Sequence, residues 1–247
     1  TITGGWGGLG GGIEMNYSNP NIANIIIVDN YGKKGGGIYM NRSNPVLTNV
    51  TVDDNYQRGI YVNWSTPVLY GCLITDNISQ GSGISANGGG ILVIYSYFTM
   101  YDGEITDNTS GNKGGGMEFK NSDGLLSGVK IHHNAAGLEE AWCHGGGGIN
   151  LENSSPTILN TEIYENHACA GMTSYCSGGG IRWKGGVGSP LLINVLIRDN
   201  TAYDWAGLLL YSPVLINCTI ADNSSTAQVG FVGTGTIVNS VIRKGSS

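Results

Sequence analysis

An all-β chain wound as a right-handed parallel β-helix of about nine three-stranded coils is predicted by three observations. These are a repeated Ile-x-Asp-Asn phrase, prolines held in register with it, and glycine-led segments that alternate with period two. The phrase spans Ile27–Asn30, Ile74–Asn77, Ile105–Asn108, Ile197–Asn200 and Ile220–Asn223. Degenerate copies are Val52–Asn55, Ile131–Asn134 and Ile163–Asn166, and a copy at Ile242 has Gly245 where the asparagine would stand. Successive asparagines are 25, 22, 31, 26, 32, 34 and 23 residues apart. The short intervals set the unit, and the long ones carry insertions.

Each unit opens on a strand after a glycine run: Ile13–Met15, Ile38–Met40, Ile60–Val62, Ile91–Val93, Met117–Phe119, Ile149–Leu151, Ile181–Trp183 and Leu208–Leu210. A second strand follows Pro20, Pro45, Pro67, Pro156, Pro190 and Pro213, each ten residues before its asparagine. Its inward residues are Ile22, Leu47, Leu69, Ile158, Leu192 and Leu215. The third strand points inward the Ile or Val three before each asparagine, with Ile25, Val50, Cys72, Val129, Val195 and Cys218. Period two in all three, with no helical period, makes each unit one turn of a coil whose strands pair with their copies about 4.8 Å above and below. The unit is longer than the roughly 18 residues of a hexapeptide-built left-handed coil, and parallel crossovers are right-handed by strong preference. About nine coils give a rod of about 43 Å. Roughly five inward apolar side chains per coil, each contributing about 1.5–3 kcal/mol when buried, line its axis. Asparagine tolerates left-handed backbone angles at the corners, and stacked copies bond one another along the rod. The structural row is Asn30, Asn55, Asn77, Asn108, Asn134, Asn166, Asn200 and Asn223.

Composition agrees and narrows the function. Glycine supplies 42 of 247 residues, charged residues are 12% and apolar residues 40%. That apolar share is too high for a disordered polar tract, and the absence of a strict three-residue glycine period excludes collagen. A net charge of −6 offers nothing to neutralise a phosphate backbone, so no nucleic-acid partner is expected. No apolar run approaches the ~20 residues of a membrane helix, so no membrane insertion is expected. The chain reads as one β-helix domain over residues 1–247, with Thr1 as the start of a mature or excised segment of a secreted protein.

The GGG-Ile strand followed by a hydrophobic-x-x-Asn phrase resembles the right-handed parallel β-helix repeats of secreted and surface proteins. It is most similar to the polymorphic outer-membrane protein repeats of bacterial adhesins and autotransporters, over roughly residues 10 to 245. It departs from them in carrying Ile or Val where that family prefers Phe. The resemblance implies a scaffold that serves adhesins, structural rods and polysaccharide lyases alike.

Candidate chemistry lies on the outward faces. Insertions at Ile78 to Gly90, Ala135 to Gly148 and His167 to Gly180 gather on one edge. On the outward face of the third strand Glu104, Lys130 and Glu162 should stack beside Thr106, His132, Tyr164 and Arg198. This is either a Glu–Lys–Glu cross-strand ladder or a polysaccharide groove with Lys130, Tyr164 or His132 as base. Asp29, Asp54, Asp76, Asp107, Glu165, Asp199 and Asp222 share one place per coil, with His133 interrupting. They are solvated carboxylates or, around Asp76 and Asp107, a weak Ca²⁺ candidate, and no other cofactor is expected.

Cys72 and Cys218 fall on inward positions and read as small buried hydrophobes. Cys143, Cys169 and Cys176 lie in insertions, where Cys169–Cys176 or Cys143 with either could form a disulfide suited to an oxidising exterior. A zinc site with His144 or His167 is the alternative. Asn16, Asn41, Asn63 and Asn153 head sequons placed in one exposed turn, as glycosylation candidates or plain turn residues, whereas those at Asn77, Asn108 and Asn223 fall on corners. Outward apolar residues on the second strand (Val46, Val68, Tyr70, Leu159, Leu191, Ile193, Val214 and Ile216) form a candidate partner surface. Both rod ends present edges that copies or neighbouring domains could pair with.

These features predict a non-enzymatic, extracellular or cell-surface structural or adhesive solenoid. It would associate with copies of itself or neighbouring domains into a layer or filament, or bind a polysaccharide or cell-surface glycan. The alternative is a polysaccharide lyase or glycoside hydrolase acting on the third-strand face.

Overall fold

Among the described residues every β-pairing is parallel and joins a residue to its counterpart one coil away, as in Ile74↔Ile105 and Ile38↔Ile60. The structure, a computed structural model, describes residues 1–81, 86–137, 145–169, 176–184, 189–225, 229–232 and 234–243. The first strands form a nine-stranded ladder from Ile13–Asn16 to Val229–Val232. Second and third strands lie within one 17-stranded sheet, and a further four-stranded sheet completes the coil. The molecule is a parallel β-helix.

Two details depart from three separate strands per coil. In the middle coils the second and third strands run on as single ten-residue strands, Tyr97–Thr106 and Asp123–His132. Each insertion also begins with a short fourth strand: Ile78–Ser79, Thr109–Ser110, Ala135–Ala136 and His167–Ala168. Single bridges continue that ladder through Trp6, Tyr31 and Tyr56 on one side and Thr201 and Ser224 on the other. Two-residue strands carry no readable period, which is why the sequence pattern does not reveal them.

The core is one linear column. Ile38, Leu47, Val50, Val52 and their apolar copies in the coils above, as far as Leu208, Leu215, Cys218 and Ile220, are essentially inaccessible, whereas Ile237 and Ile242 of the last coil are exposed. Phe98 and Phe119 meet edge-on within the column. Cys72 and Cys218 occupy the corner before the third strand, as free buried thiols whose pKa burial raises. Each donates to carbonyls in the way Thr161 does from the same corner, Cys218 to Leu192 and Ile216 at 3.4 Å.

The eight asparagines form a buried side-chain ladder. From Asn30 to Asn200, each backbone N–H and each Nδ2 donates to Oδ1 of the next asparagine at 2.9–3.1 Å. The second amide hydrogen is shared between carbonyls, as when Asn108 Nδ2 donates to Thr106 and Ile74 at 2.8 and 2.9 Å. The left-handed angle sits one residue earlier than expected. Asp29, Asp54, Asp76, Asp107, His133, Glu165, Asp199 and Asp222 all have φ between 46° and 55°. The asparagine must point inward to bond its neighbours, so the preceding residue makes the bend and projects to solvent. A matching ladder of serines runs at the corner after the first strand, from Ser43 to Ser154, each hydroxyl accepting the N–H of the serine one coil earlier.

The glycine triplets have positional causes. A Cβ at Gly114 would lie 3.1 Å from Glu118 Cβ, because this segment folds back over the first ladder. A Cβ at Gly116 would lie 2.7 Å from the Gly148 carbonyl and 3.0 Å from Asn134 Nδ2. The third glycine therefore gives the asparagine ladder its room.

Asn108→Ala should cost about 3 kcal/mol or more, since it orphans the Asn77 donors and two buried carbonyls at about 1–3 kcal/mol each. The urea midpoint of the purified variant measures this. A midpoint equal to wild type would contradict the ladder's role.

Candidate functional site

The third-strand face assembles as a rung-by-rung array. Glu104, Lys130 and Glu162 pair in register, beside Thr106, His132, Tyr164 and Arg198. The Glu–Lys–Glu ladder does not form: among the described residues Lys130 makes no ion pair and projects into solvent. Glu104 instead turns diagonally to His132, with Oε1 at 2.5 Å from Nε2. His132 Nδ1 lies 3.1 Å from Thr106 Oγ1, and the ring stacks on Tyr164 at 4.5 Å with Arg198 over the far side. Imidazole, phenol and guanidinium fill successive rungs as flat groups, and this stacking outweighs an exposed Glu–Lys pair of a few tenths of a kcal/mol. His133 pairs with Glu165 at 2.9 Å and Arg198 with Asp199 at 2.6 Å. Burial, with Glu104 and Glu162 nearby, raises the Tyr164 phenol. The array thus sets a carboxylate, an imidazole, a phenol and a guanidinium side by side on one face. Beside it a shallow depression of about 320 Å³ reaches from Gly71 to Lys130.

Asp76 and Asp107 occupy consecutive corners, each accepting a threonine hydroxyl, from Thr75 and Thr106. Among the described residues no three His, Cys, Asp or Glu side chains converge as a metal site. Cys169 and Cys176 are disulfide-bonded, so neither is a thiolate for zinc, and His167 bonds Thr201 instead. Cys143 and His144 lie outside the described residues.

The sequon asparagines do not share one turn. Asn16, Asn41 and Asn63 end the first strand and stack amide to amide, Asn63 Nδ2 donating to Asn41 Oδ1 at 2.9 Å. Asn153 sits one position later, because Glu152 takes the strand-end place opposite Lys120. The sequon serines Ser43 and Ser65 are the buried ladder serines, which gives this Asn-x-Ser pattern a structural cause. Asn77, Asn108 and Asn223 are fully buried.

The outward apolar row is interrupted. Thr99 and Thr157 break the row of Val46, Val68, Leu125, Leu191 and Val214, while Ser127 separates Tyr70 from Leu159, Ile193 and Ile216. Tyr70 is exposed and stacks on Tyr101 at 5.2 Å, whereas the others are half-buried.

Three groupings went unrecognised in the sequence. At the corner after the first strand the left-handed position carries Tyr17, Arg42, Trp64, Tyr95, Asn121 and Asn153. Trp64 and Tyr95 stack at 4.9 Å with solvent-exposed edges, and with Tyr97 they border a cleft of about 590 Å³ that extends to Asn121, Asp123 and Asn153. A second stack, Trp6–Tyr31–Tyr56, follows the asparagine ladder and borders a cleft of about 380 Å³ beside Asp29 and Asp54. The repeated Asn-Tyr at 30–31 and 55–56 was its sequence signal.

The third grouping is the outward row of the first ladder, which the glycine-rich segments cover. Tyr39, Tyr61 and Leu92 give way to Glu118, Asn150 and Arg182, all buried. Asn150 donates to Glu118 Oε1 and accepts from Arg182, both at 3.1 Å. Nearby, Arg58 is wholly buried, its Nε donating to the Asn87 carbonyl and its guanidinium over Tyr61. Lys113 and Lys120 flank Glu152 at 3.4 and 2.7 Å. Burial pushes the Glu118 carboxyl up to about 7, against the pull of Lys113 and Lys120.

A family model described as "Right handed beta helix region" matches residues 2–109. The right-handed β-helix is thus matched over that part of the chain, and its coils continue beyond it in the same ladders. No curated protein matches. Among solved structures the chain is similar to QnrB1, a plasmid-mediated fluoroquinolone resistance protein, at 13% identity over 92% of each chain with a TM-score of 0.21.

The native state holds the Glu118 proton up to about pH 7, while an ordinary carboxyl releases it near 4.5. Stability from this group is complete below pH 4.5 and is lost as pH rises through 7. Glu118→Gln should remove that part of the pH dependence and raise the urea midpoint at pH 8. An unchanged pH profile would contradict the buried, protonated carboxyl.

Proposed function

We propose that this chain is an extracellular, non-catalytic β-solenoid that adheres to glycan. The observation that carries the reading is the pair of exposed aromatic stacks held at fixed corners of a ladder-bonded rod. Rings fixed in this way lose little side-chain entropy on meeting a ligand, which suits recognition. The resemblance to adhesin repeats and the disulfide in an insertion fit a surface location. The half-buried apolar side chains from Leu159 to Ile216 suit side-by-side association with copies of the chain in a layer.

A second reading, a polysaccharide lyase or glycoside hydrolase, is favoured by the Glu104–His132 pair beside Tyr164. One experiment separates the two. The protein is incubated with insoluble and soluble neutral and uronic-acid polysaccharides, and both co-sedimentation and new reducing or unsaturated ends are measured. Retention on glycan without products is the expected result. Products that vanish in His132→Ala or Lys130→Ala would establish the enzyme, and neither retention nor products would sink the adhesive reading.

A further inference from the structure

We propose that the cleft beyond Tyr95 is a binding site for a neutral oligosaccharide of pyranose sugars, with one sugar ring lying on the outer face of Tyr95. This rests on the glycan-adhesive reading above and names the site and ligand class within it. The rungs of the rod repeat about every 4.8 Å, and the Trp64 and Tyr95 rings follow that repeat at 4.9 Å and 18° between planes. One rung further on, the same corner carries Asn121 and then Asn153, so no ring continues the stack. The third place holds only the short Asn121 side chain, so the cleft opens beyond it over the Tyr95 ring. A pyranose has an apolar C–H face and a rim of hydroxyls, matching an aromatic face that meets a polar edge.

The polar edge is positioned for those hydroxyls. Asn153 Nδ2 donates to Asn121 Oδ1 at 3.0 Å. Among the described residues this leaves the Asn121 amide hydrogens and the Asn153 carbonyl oxygen without a protein partner. One donor and one acceptor thus face the cleft side by side. Tyr97, half exposed, forms the wall. The volume of about 590 Å³ falls within the about 300–1,000 Å³ of small-ligand clefts. Charge selects against acidic sugars. Asp123 lies at the rim and binds the Ser155 N–H as an acceptor, the chain carries −6 overall, and no arginine or lysine lines the cleft. Lys120, which acts on the Tyr95 phenol, is held by Glu152 at 2.7 Å, so a uronate would meet the Asp123 charge without a free counter-charge.

Isothermal titration of the folded protein with cellohexaose, maltohexaose and xylohexaose, and with hexagalacturonate as the acidic comparator, tests this. At least one neutral hexasaccharide should bind, with hexagalacturonate weaker by about tenfold or more. Tyr95→Ala should weaken that binding by about tenfold, as expected for a central aromatic contact, Trp64→Ala should weaken it less by removing the ring behind Tyr95, and Tyr95→Phe should retain it. Circular dichroism and the urea midpoint confirm that each variant is folded. Binding that survives both alanine variants, that moves to Trp6→Ala sensitivity, or that prefers hexagalacturonate overturns the assignment while leaving glycan adhesion standing. No hexasaccharide binding, with polysaccharide retained in co-sedimentation, overturns this site alone; loss of both overturns the adhesive reading as well.

Discussion

A buried side-chain amide that bonds its own copy one coil away is the constraint on which the rest of this molecule depends. An asparagine offers two amide hydrogens and one carbonyl, and the ladder from Asn30 to Asn223 puts them to use between rungs. Parallel strands alone tolerate slippage where faces are chemically alike. The asparagines remove that freedom, since a shift that put the preceding residue inward would bury an aspartate, His133 or Glu165 in their place. The serine ladder repeats the device at another corner with a hydroxyl. With two corners locked, inward apolar residues meet only their counterparts, and outward residues form rows whose spacing the backbone sets.

Those rows fall into two physical kinds. Where glycine-rich segments fold back, the outward row is covered, and polar members survive only by joining one another, as Glu118, Asn150 and Arg182 do. Where nothing folds back, flat side chains stack rung upon rung. His132 on Tyr164 and Trp64 on Tyr95 are the same arrangement with different chemistry. The first engages its titratable groups with each other, whereas the second leaves faces and edges open to a ligand. A scaffold that displays groups in this way suits recognition by repetition.

Much of this was legible in the sequence because the repeat is covalent in kind. Ile74 and Ile105, or Leu47 and Leu69, share a phrase, and a shared phrase in a solenoid means a shared position. The asparagine row was readable for the same reason, although its left-handed neighbour was not. Both residues of Asp-Asn tolerate that angle, and only the inward hydrogen bonds decide between them. The aromatic corner after the first strand is hidden in the sequence because its members change identity from coil to coil: Tyr17, Arg42, Trp64, Tyr95. The lost Glu104–Lys130 pairing has a different cause. Register brought the partners together, but a diagonal imidazole two residues along the neighbouring strand competed for the carboxylate. Pair chemistry depends on side-chain direction, which spacing alone does not carry.

Backbone hydrogen exchange of the native protein tests the ladder most directly. If buried side-chain carbonyls hold the backbone N–H groups of Asn55, Asn77, Asn108, Asn134 and Asn166, those amides will be among the slowest to exchange, as slow as those of the adjoining third strands. Exchange at the rate of unprotected amides would show that the asparagines do not bind one another, and the account would fail.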